Sequence, residues 1–491
     1  MNKNLLYGVA GTIGIVAIIA ISLVFFVPPS ANTKQSDLIQ DTKTVIPPTT
    51  DVKEQTVQQL STVNLRKIIN ASNPSISVNQ DTETVYASFV KTESQQINVY
   101  LMSSNDDGKT FSEPAQVNDV SVAAQMWNTI PIRFGPNDEI YVAWMTTAEH
   151  PDFPWGITEI RISKSIDGGK TFGPSINPVK GDASEKAFFD LAVSDTGTLY
   201  LSYLDSMTNQ YEKEGFEVIG YPSSYKLVKS IDGGKTFGDI ITLDNQNCVC
   251  CQTSSLMGPD GEVYFAWRDL QYESDVKTTN TSDNPYNYGN ANGTLPENTK
   301  PTTFETIRDI SIMHTTDNAN GNEFSSPSKV SPDKWYLNAC PDAGPGMAFD
   351  SKGRLHVAWF TGSETAPDGL GYYYAYSDDS GQTFSKVLPL LTDKEFIPPT
   401  MVSVATDSSD NIWITFADQR SPDVVRYSSI EEGHLGKVHL VIIDKNQKTL
   451  FNGPVASGAI HEFVDISATN DIAHMAWKDG RDAKFVSLVM Q

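Results

Sequence analysis

Ser165-Ile166-Asp167-Gly168-Gly169-Lys170-Thr171-Phe172 returns nearly intact at Ser230-Ile231-Asp232-Gly233-Gly234-Lys235-Thr236-Phe237. Looser copies run from Ser104 to Phe111 and from Ser377 to Phe384, and a copy one residue longer runs from Thr316 to Phe324. The physics of the octet is local. Asp and Ser side chains bond to backbone N–H groups two residues on, and Gly accepts a positive φ. Thr and Phe then re-enter a strand, where the ring packs on the sheet. Each copy follows a strand-like run, so the octet is a hairpin turn and its recurrence implies repeated hairpins.

Working outward from the turns, a common unit emerges. A short strand of small or apolar residues comes first, then an aromatic-rich strand, then a third strand, and often the octet. The aromatic-rich members are Thr84 to Val90, Ile140 to Met145, Leu199 to Leu204, Val263 to Arg268, Leu355 to Phe360, Ile412 to Ala417 and Ile472 to Trp477. Alternation and β-branched or aromatic enrichment read as strands throughout. Seven units spaced roughly 60 residues apart predict an all-β fold, a β-propeller with seven blades. Six blades is the alternative, should the first or last unit not be a full blade. The last unit lacks a fourth strand, and a strand from about Gln58 to Arg66 would supply it and tie the ring shut.

Within the units, Trp144, Trp267, Trp359 and Trp477 occupy like positions and read as packing between blades. His356 and His474 lie inside strands and read as core residues. Tyr372, Tyr373 and Tyr374 alternate between faces, so that at most some of them reach solvent. Gln271 to Thr303 lacks apolar periodicity and interrupts unit four as a surface excursion. Ala148 to Gly156 reads as an irregular rim segment.

The 491 residues carry 60 Asp plus Glu against 36 Lys plus Arg, a formal charge of −24. Such a surface repels nucleic acid and anionic lipid at long range, so glycans and surface proteins are the better-matched partners. Leu5 to Val27 is a run of 23 residues without charge. As a helix it is long enough for a bilayer core of about 30 Å. The expected organisation is therefore a cytoplasmic start and transmembrane signal-anchor over 1–31, a flexible stalk over 32–59, and the propeller over 60–491. The protein is then expected in the cell membrane as a single-pass protein, its bulk extracytoplasmic.

All four cysteines bracket unit four: Cys248, Cys250 and Cys251 before it and Cys340 after it. Outside the cell, cysteines favour disulfides, with three complete pairings open. A bridge to Cys340 would leave a strained pair among the other three. That strain motivates a competing reading, a thiolate site for copper or zinc.

Charged residues gather at strand ends: Arg268-Asp269, Arg308-Asp309, Asp418 with Arg420, and Asp479 with Arg481 and Asp482. Equivalent positions in a radial repeat lie near one face. Arginines there could clamp a carboxylate, and carboxylates could act as acid or base. Arg268, Asp269, Arg308, Asp309 and Arg420 are the candidate catalytic residues, with structural ion pairs between blades as the competing reading. Glu185, Asp190, Asp205 and Asp342 add carboxylates that could face the same opening.

The octets resemble the Asp-box, or BNR, repeats of the sialidase superfamily, and the architectural resemblance covers nearly all of Asn73 to Gln491. It implies a sialidase-like propeller, as in glycosidases, binding propellers and assembly factors. Sialidases in this superfamily use three arginines for the sialic-acid carboxylate, a Tyr–Glu nucleophilic pair and an Asp acid/base. This chain departs from that pattern. Pro131-Ile132-Arg133-Phe134 follows the first box, where a Phe/Tyr-Arg-Ile-Pro motif would precede it, and the cysteines are additions. Two function classes stand: a propeller that binds a glycan, protein or metal without turnover, and an exo-acting, exo-alpha-sialidase-like glycoside hydrolase.

Overall fold

The computed structural model describes residues 59–491 except 124–127, 151–152, 181–183, 207–221, 274–304, 319, 338–340, 364–365, 367, 394–396, 421–435 and 461–462. Every element described is a strand. Blade 1 follows the first strand, β1 (Leu60–Ile68), and comprises β2 (Ala71–Asn79), β3 (Thr84–Glu93), β4 (Gln96–Ser104) and β5 (Ala115–Gln116). Blade 2 has β6 (Ile132–Phe134), β7 (Ile140–His150) and β8 (Phe153–Ser165), with an Ile162–Ile176 bridge where a fourth strand would lie. Blade 3 has β9 (Glu185–Val193), β10 (Leu199–Ser206), β11 (Pro222–Ser230) and β12 (Ile241–Cys248).

Blade 4 has β13 (Ser254–Met257), β14 (Val263–Arg268), β17 (Ile310–His314) and β18 (Ser328–Lys329). Between its second and third strands stands a small ribbon of β15 (Gln271–Glu273) and β16 (Glu305–Ile307). Blade 5 has β19 (Gly346–Phe349), β20 (Leu355–Thr361), β21 (Leu370–Ser377) and β22 (Leu388–Asp393). Blade 6 has β23 (Val402–Thr406), β24 (Ile412–Asp418), β25 (Gly436–Ile443) and β26 (Thr449–Gly458). Blade 7 has β27 (Val464–Thr469), β28 (Ile472–Asp479) and β29 (Asp482–Met490), and β1 is its outer strand.

The fold is thus all-β with seven blades, and the ring closes through β1. Leu60 pairs with Met490 and Ile68 with Ala483, so the chain's first described strand seals its last blade. The first strand of each blade touches its counterparts in both neighbouring blades, which places these seven strands around the axis. Aromatic packing holds adjacent blades together. Tyr372 of blade 5 stacks on Phe416 of blade 6 with centroids 3.8 Å apart, a contact worth ~1 kcal/mol beyond its buried area. Trp144, Trp267, Trp359 and Trp477 are all buried, as are His356 and His474. Tyr372, Tyr373 and Tyr374 are buried too, so none of the three reaches solvent.

The octets form the turns between third and fourth strands. Their bonding spans more chain than a two-residue turn. Gly169 N donates to Ser165 Oγ at 2.9 Å, and Thr171 N donates to Asp167 Oδ1 at 3.0 Å. Thr171 Oγ1 also donates to Asp167 Oδ2 at 2.6 Å. The Asp and Ser side chains thus close turns four residues long. Gly168 and Gly169 have φ of 73° and 82°. In the looser copies Asp107 and Ser380 take the first of these positions at φ 59° each, a conformation that costs a non-glycine residue free energy. The octet phenylalanines Phe111, Phe172, Phe237 and Phe384 pack against the apolar cores of the blades.

An antiparallel meander with all first strands parallel sorts the loops. The octets lie on one face. The connections between blades and the loops between second and third strands lie on the other, and this face carries the charged strand ends and the cysteines. Within Ala148 to Gly156, expected to be irregular, the described residues instead belong to β7 and β8, because the ladder runs on to the His150–Phe153 pair. The expected membrane-spanning helix falls outside the described residues. Among the described residues no helix is long and apolar enough to cross a membrane, and 1–31, like the stalk through residue 58, lies outside them.

Candidate metal centre

β12 is the outer strand of blade 3, and its ladder ends where Cys248 pairs with Pro222. The chain must then run from the rim of the propeller to its axis to begin β13. It turns at once, through Val249 and Cys250, and that turn brings three side chains to one point. The Sγ atoms of Cys248 and Cys251 are 3.1 Å apart, those of Cys248 and Cys250 are 3.6 Å apart, and all three lie within 4.8 Å of one another.

The disulfide expectation is corrected by this geometry. Cys248, Cys250 and Cys251 are thiols, with no S–S bond among them. The tight turn converges their sulfurs on a common centre instead of aligning any two for a bond. Cys340, the fourth residue of the expected set, lies outside the described residues. Three sulfurs this close can all ligate one ion, since metal–thiolate bonds are about 2.3 Å long. Soft sulfur donors suit copper(I) and zinc. The cluster can therefore hold a copper or zinc ion.

Two buried arginines flank the sulfurs. Arg308 Nη1 donates to Cys248 Sγ at 2.8 Å, and its Nε donates to the Leu337 carbonyl at 2.8 Å. Arg268 is 1% exposed. Its Nε and Nη2 donate to the Ala343 carbonyl at 3.0 and 2.8 Å, Nη1 to the Arg308 carbonyl at 2.7 Å, and Nη2 to the Phe360 carbonyl at 2.7 Å. It also lies over the Trp335 ring. Burial pushes the Cys251 thiol well above the usual range, the hydrogen bond with Cys248 adds to this, and the Arg268 charge works the other way. A metal ion binding there displaces that proton.

The cysteine turn is locked from both sides. Leu270 N donates to the Gln246 carbonyl at 2.9 Å, and Asn247 bridges to Asp269. On the side of blade 5, a Cβ on Gly344 would overlap the Gln252 carbonyl oxygen, so only glycine permits this approach. Sequence reasoning missed Trp335, Leu337, Ala343 and Gly344. The Gly-Pro pair that follows Cys340 was the available signal that the backbone passes close to something there.

The remaining candidates fall into separate groups. Asp269 accepts from Lys329 Nζ at 2.5 Å and from Ser311 Oγ at 3.1 Å. Asp309 accepts from the backbone N–H groups of Lys334 and Trp335, and burial pushes its carboxyl up. Arg420 stands in blade 6. It grips Asp418 through Nε and Nη2 at 2.9 and 3.0 Å and lies 3.6 Å from Asp393. Burial works to raise the Asp418 carboxyl, but the Arg420 bonds and charge hold it below the usual range. Asp479 pairs with Lys484 at 2.5 Å and Asp482 with Lys67 at 2.6 Å, both within blade 7. Asp205 pairs with Lys226, and burial raises the Glu185 carboxyl.

Asp190 faces the axis, where it accepts from Arg133 at 2.7 Å and from Ser255 N in blade 4 at 2.8 Å. Its counterpart on β27, Asp465, was not anticipated. It accepts from Ser75 Oγ at 2.5 Å and from Ser403 Oγ at 3.0 Å, and so ties blades 1, 6 and 7. Both acids stand within strands between apolar residues, in Phe189-Asp190-Leu191 and Val464-Asp465-Ile466, which was the legible signal. The structure thus brings Arg268 and Arg308 together beside the cysteines, while Arg420 sits two blades further round with its own acids.

No family model matches the chain, and no curated protein matches it in sequence. Solved structures do resemble it. A polysaccharide lyase of family PL25, an ulvan lyase bound to a glucuronate–sulfated rhamnose unit, has 12% identity and a TM-score of 0.50, covering 86% of this chain and 95% of the lyase. A Dyadobacter fermentans protein of unknown function has 12% identity and a TM-score of 0.46, covering 88% of this chain and 99% of that one. A Trypanosoma rangeli sialidase in complex with the inhibitor DANA has 12% identity and a TM-score of 0.43, covering 75% of this chain and 55% of the sialidase. At such identities the likeness concerns the β-propeller fold alone.

Proposed function

We propose that this propeller is a binding protein for a soft metal ion, copper(I) or zinc, held by Cys248, Cys250 and Cys251. The observation that carries the reading is the convergence of three sulfurs within 4.8 Å beside the Arg308 guanidinium. Charge supports it. Three thiolates around copper(I) leave two net negative charges in a buried place, which is costly unless they are compensated. Arg268 and Arg308 supply two positive charges there. Zinc leaves one negative charge on three thiolates, or two if a fourth thiolate such as Cys340 joins.

The same arginines bear on the glycosidase reading. Arg268 directs its donors to backbone carbonyls, and Arg308 directs its own to Leu337 and to sulfur. Those directions favour scaffold and charge-balancing roles over the clamping of a substrate carboxylate. The reading is tested on full-length protein purified without oxygen, by metal analysis with a thiol count and by copper(I) titration against a chromophoric chelator. One ion per chain is expected, lost in the Cys248→Ser, Cys251→Ser double variant. Protein with all thiols reduced that takes up neither copper(I) nor zinc sinks the proposal.

A further inference from the structure

We propose that Cys250 is the exchange ligand of the cluster, through which the ion passes to and from a thiol-bearing metal carrier. The inference rests on the metal reading above. The three sulfurs are not equivalent. Cys248 and Cys251 are each 1% exposed, whereas Cys250 is partly open to solvent. Their backbones differ as well. Cys248 is the last residue of β12, paired with Pro222 and bonded by Arg308. Cys251 is buried beside it, its sulfur 3.1 Å from that of Cys248. Cys250 lies in the turn between them, outside the β12 ladder, so its side chain can swing away without breaking a strand pairing.

This arrangement sorts the ligands into a fixed pair and a movable third. The fixed pair is deep and close, with sulfurs 3.1 Å apart, and Arg308 bonds one of the two. The movable one is partly exposed and stands in the connection between blades 3 and 4, on the side of the propeller opposite the octets. Exchange then proceeds by association. The sulfur of an incoming thiol bonds to the ion, the bond from Cys250 to the ion breaks, and the proton of the incoming thiol ends on the Cys250 sulfur. No electron changes hands, so no oxidant or reductant is required. The ion has three sulfur ligands before and after this step, with a fourth present while the carrier's sulfur displaces Cys250. Further carrier thiols displace Cys248 and Cys251 in the same way to complete the transfer. The carrier is recognised by its thiol, whether a small molecule or a protein cysteine with access to this face.

The test uses full-length protein loaded with one equivalent of copper(I), with glutathione as the incoming thiol and bathocuproine disulfonate as the final acceptor. Wild-type transfer should rise linearly with glutathione concentration. Cys250→Ser should still bind copper(I) on the buried pair, but should transfer it at least tenfold more slowly with a rate that no longer depends on glutathione. A Cys250→Ser protein that transfers at the wild-type rate, with the wild-type thiol dependence, overturns the proposal. Wild-type protein that binds no copper(I) overturns the metal reading itself, so the two failures are distinct. A second measurement is independent of the variant's folding. In the metal-free wild type, limiting iodoacetamide should label Cys250 at least tenfold faster than Cys248 or Cys251, and equal labelling of all three overturns the proposal.

Discussion

The Arg308 guanidinium donates to the Cys248 sulfur at 2.8 Å across blades 3 and 4. It is one bond between a buried cation and a soft ligand, and it joins the architecture of the propeller to its candidate chemistry. Replacing Arg308 by Gln removes the charge while keeping some hydrogen-bonding capacity. Partners that orient a metal ligand from outside are typically worth 10- to 100-fold in affinity. Arg308→Gln should therefore weaken copper(I) binding by about that factor in a competitive chelator titration. Unchanged affinity would falsify the charge-balancing role.

Arg268 has a different expected phenotype. Its donors satisfy the carbonyls of Ala343, Arg308 and Phe360, and so tie blade 4 to blade 5. Arg268→Leu strands three carbonyls that few other groups can reach. The loss should be ~3–5 kcal/mol, as for a broken buried charged network. Chemical denaturation of the purified variant measures it, and a loss below ~1 kcal/mol would remove Arg268 from the scaffold.

Gly344 sits where its Cβ would collide with the Gln252 carbonyl oxygen. The clash is backbone against side chain root, so no rotamer relieves it. Gly344→Ala should push the segment around Gln252 outward and cost ~1–3 kcal/mol. Because Gln252 follows Cys251 directly, copper(I) affinity should fall as well. A variant with wild-type affinity and stability would show that the two segments move independently.

Closure of the ring depends on β1. Removing residues 1–69 deletes the outer strand of blade 7 and exposes the edge of β29. That truncation should abolish cooperative unfolding or lead to aggregation through the bare edge, whereas removal of residues 1–57 should preserve a single sharp transition. Calorimetry distinguishes the outcomes, and two equally stable proteins would argue against closure by this strand.

His474 and His356 are buried, and burial lowers the pKa of each to about 4. For His356 the nearby Asp350 carboxylate works in the opposite direction. A histidine in the unfolded chain titrates near 6.5. Between about 4 and 6.5 the unfolded state therefore binds protons that the folded state refuses, so stability rises with pH through that window. Above it the contribution is complete, and below it the contribution is gone. Each histidine is expected to account for ~3 kcal/mol across the window. Denaturant midpoints measured from pH 7 to pH 4 should fall steeply, with a shallower slope in His474→Gln than in wild type. Parallel slopes would mean that His474 does not contribute.

The octets carried the architecture because their information is local. Ser165, Asp167 and Thr171 bond within one turn and need no distant partner, so the turn is legible wherever its residues stand together. Five such turns, the alternating strands of seven units and an unpaired last blade were enough to anticipate the ring and its closing strand. The disulfide expectation failed because cysteine spacing cannot tell converging sulfurs from bonded ones. That difference is set by the turn after Cys248 and by Arg308, which is 60 residues away. The axial pair shows the same division. Asp190 was legible only as one of several carboxylates that could face the opening, and its relation to Asp465 on β27 arises only when seven strands gather at the axis.

What the sequence determined by itself is the repeat, the strand order and the closed all-β ring, since these follow from periodicity and from bonds within short segments. Only the tertiary structure decided which charged residues hold blades together and which lie beside sulfur. Those choices depend on carbonyls, guanidiniums and glycine clearances contributed by blades far apart in the chain.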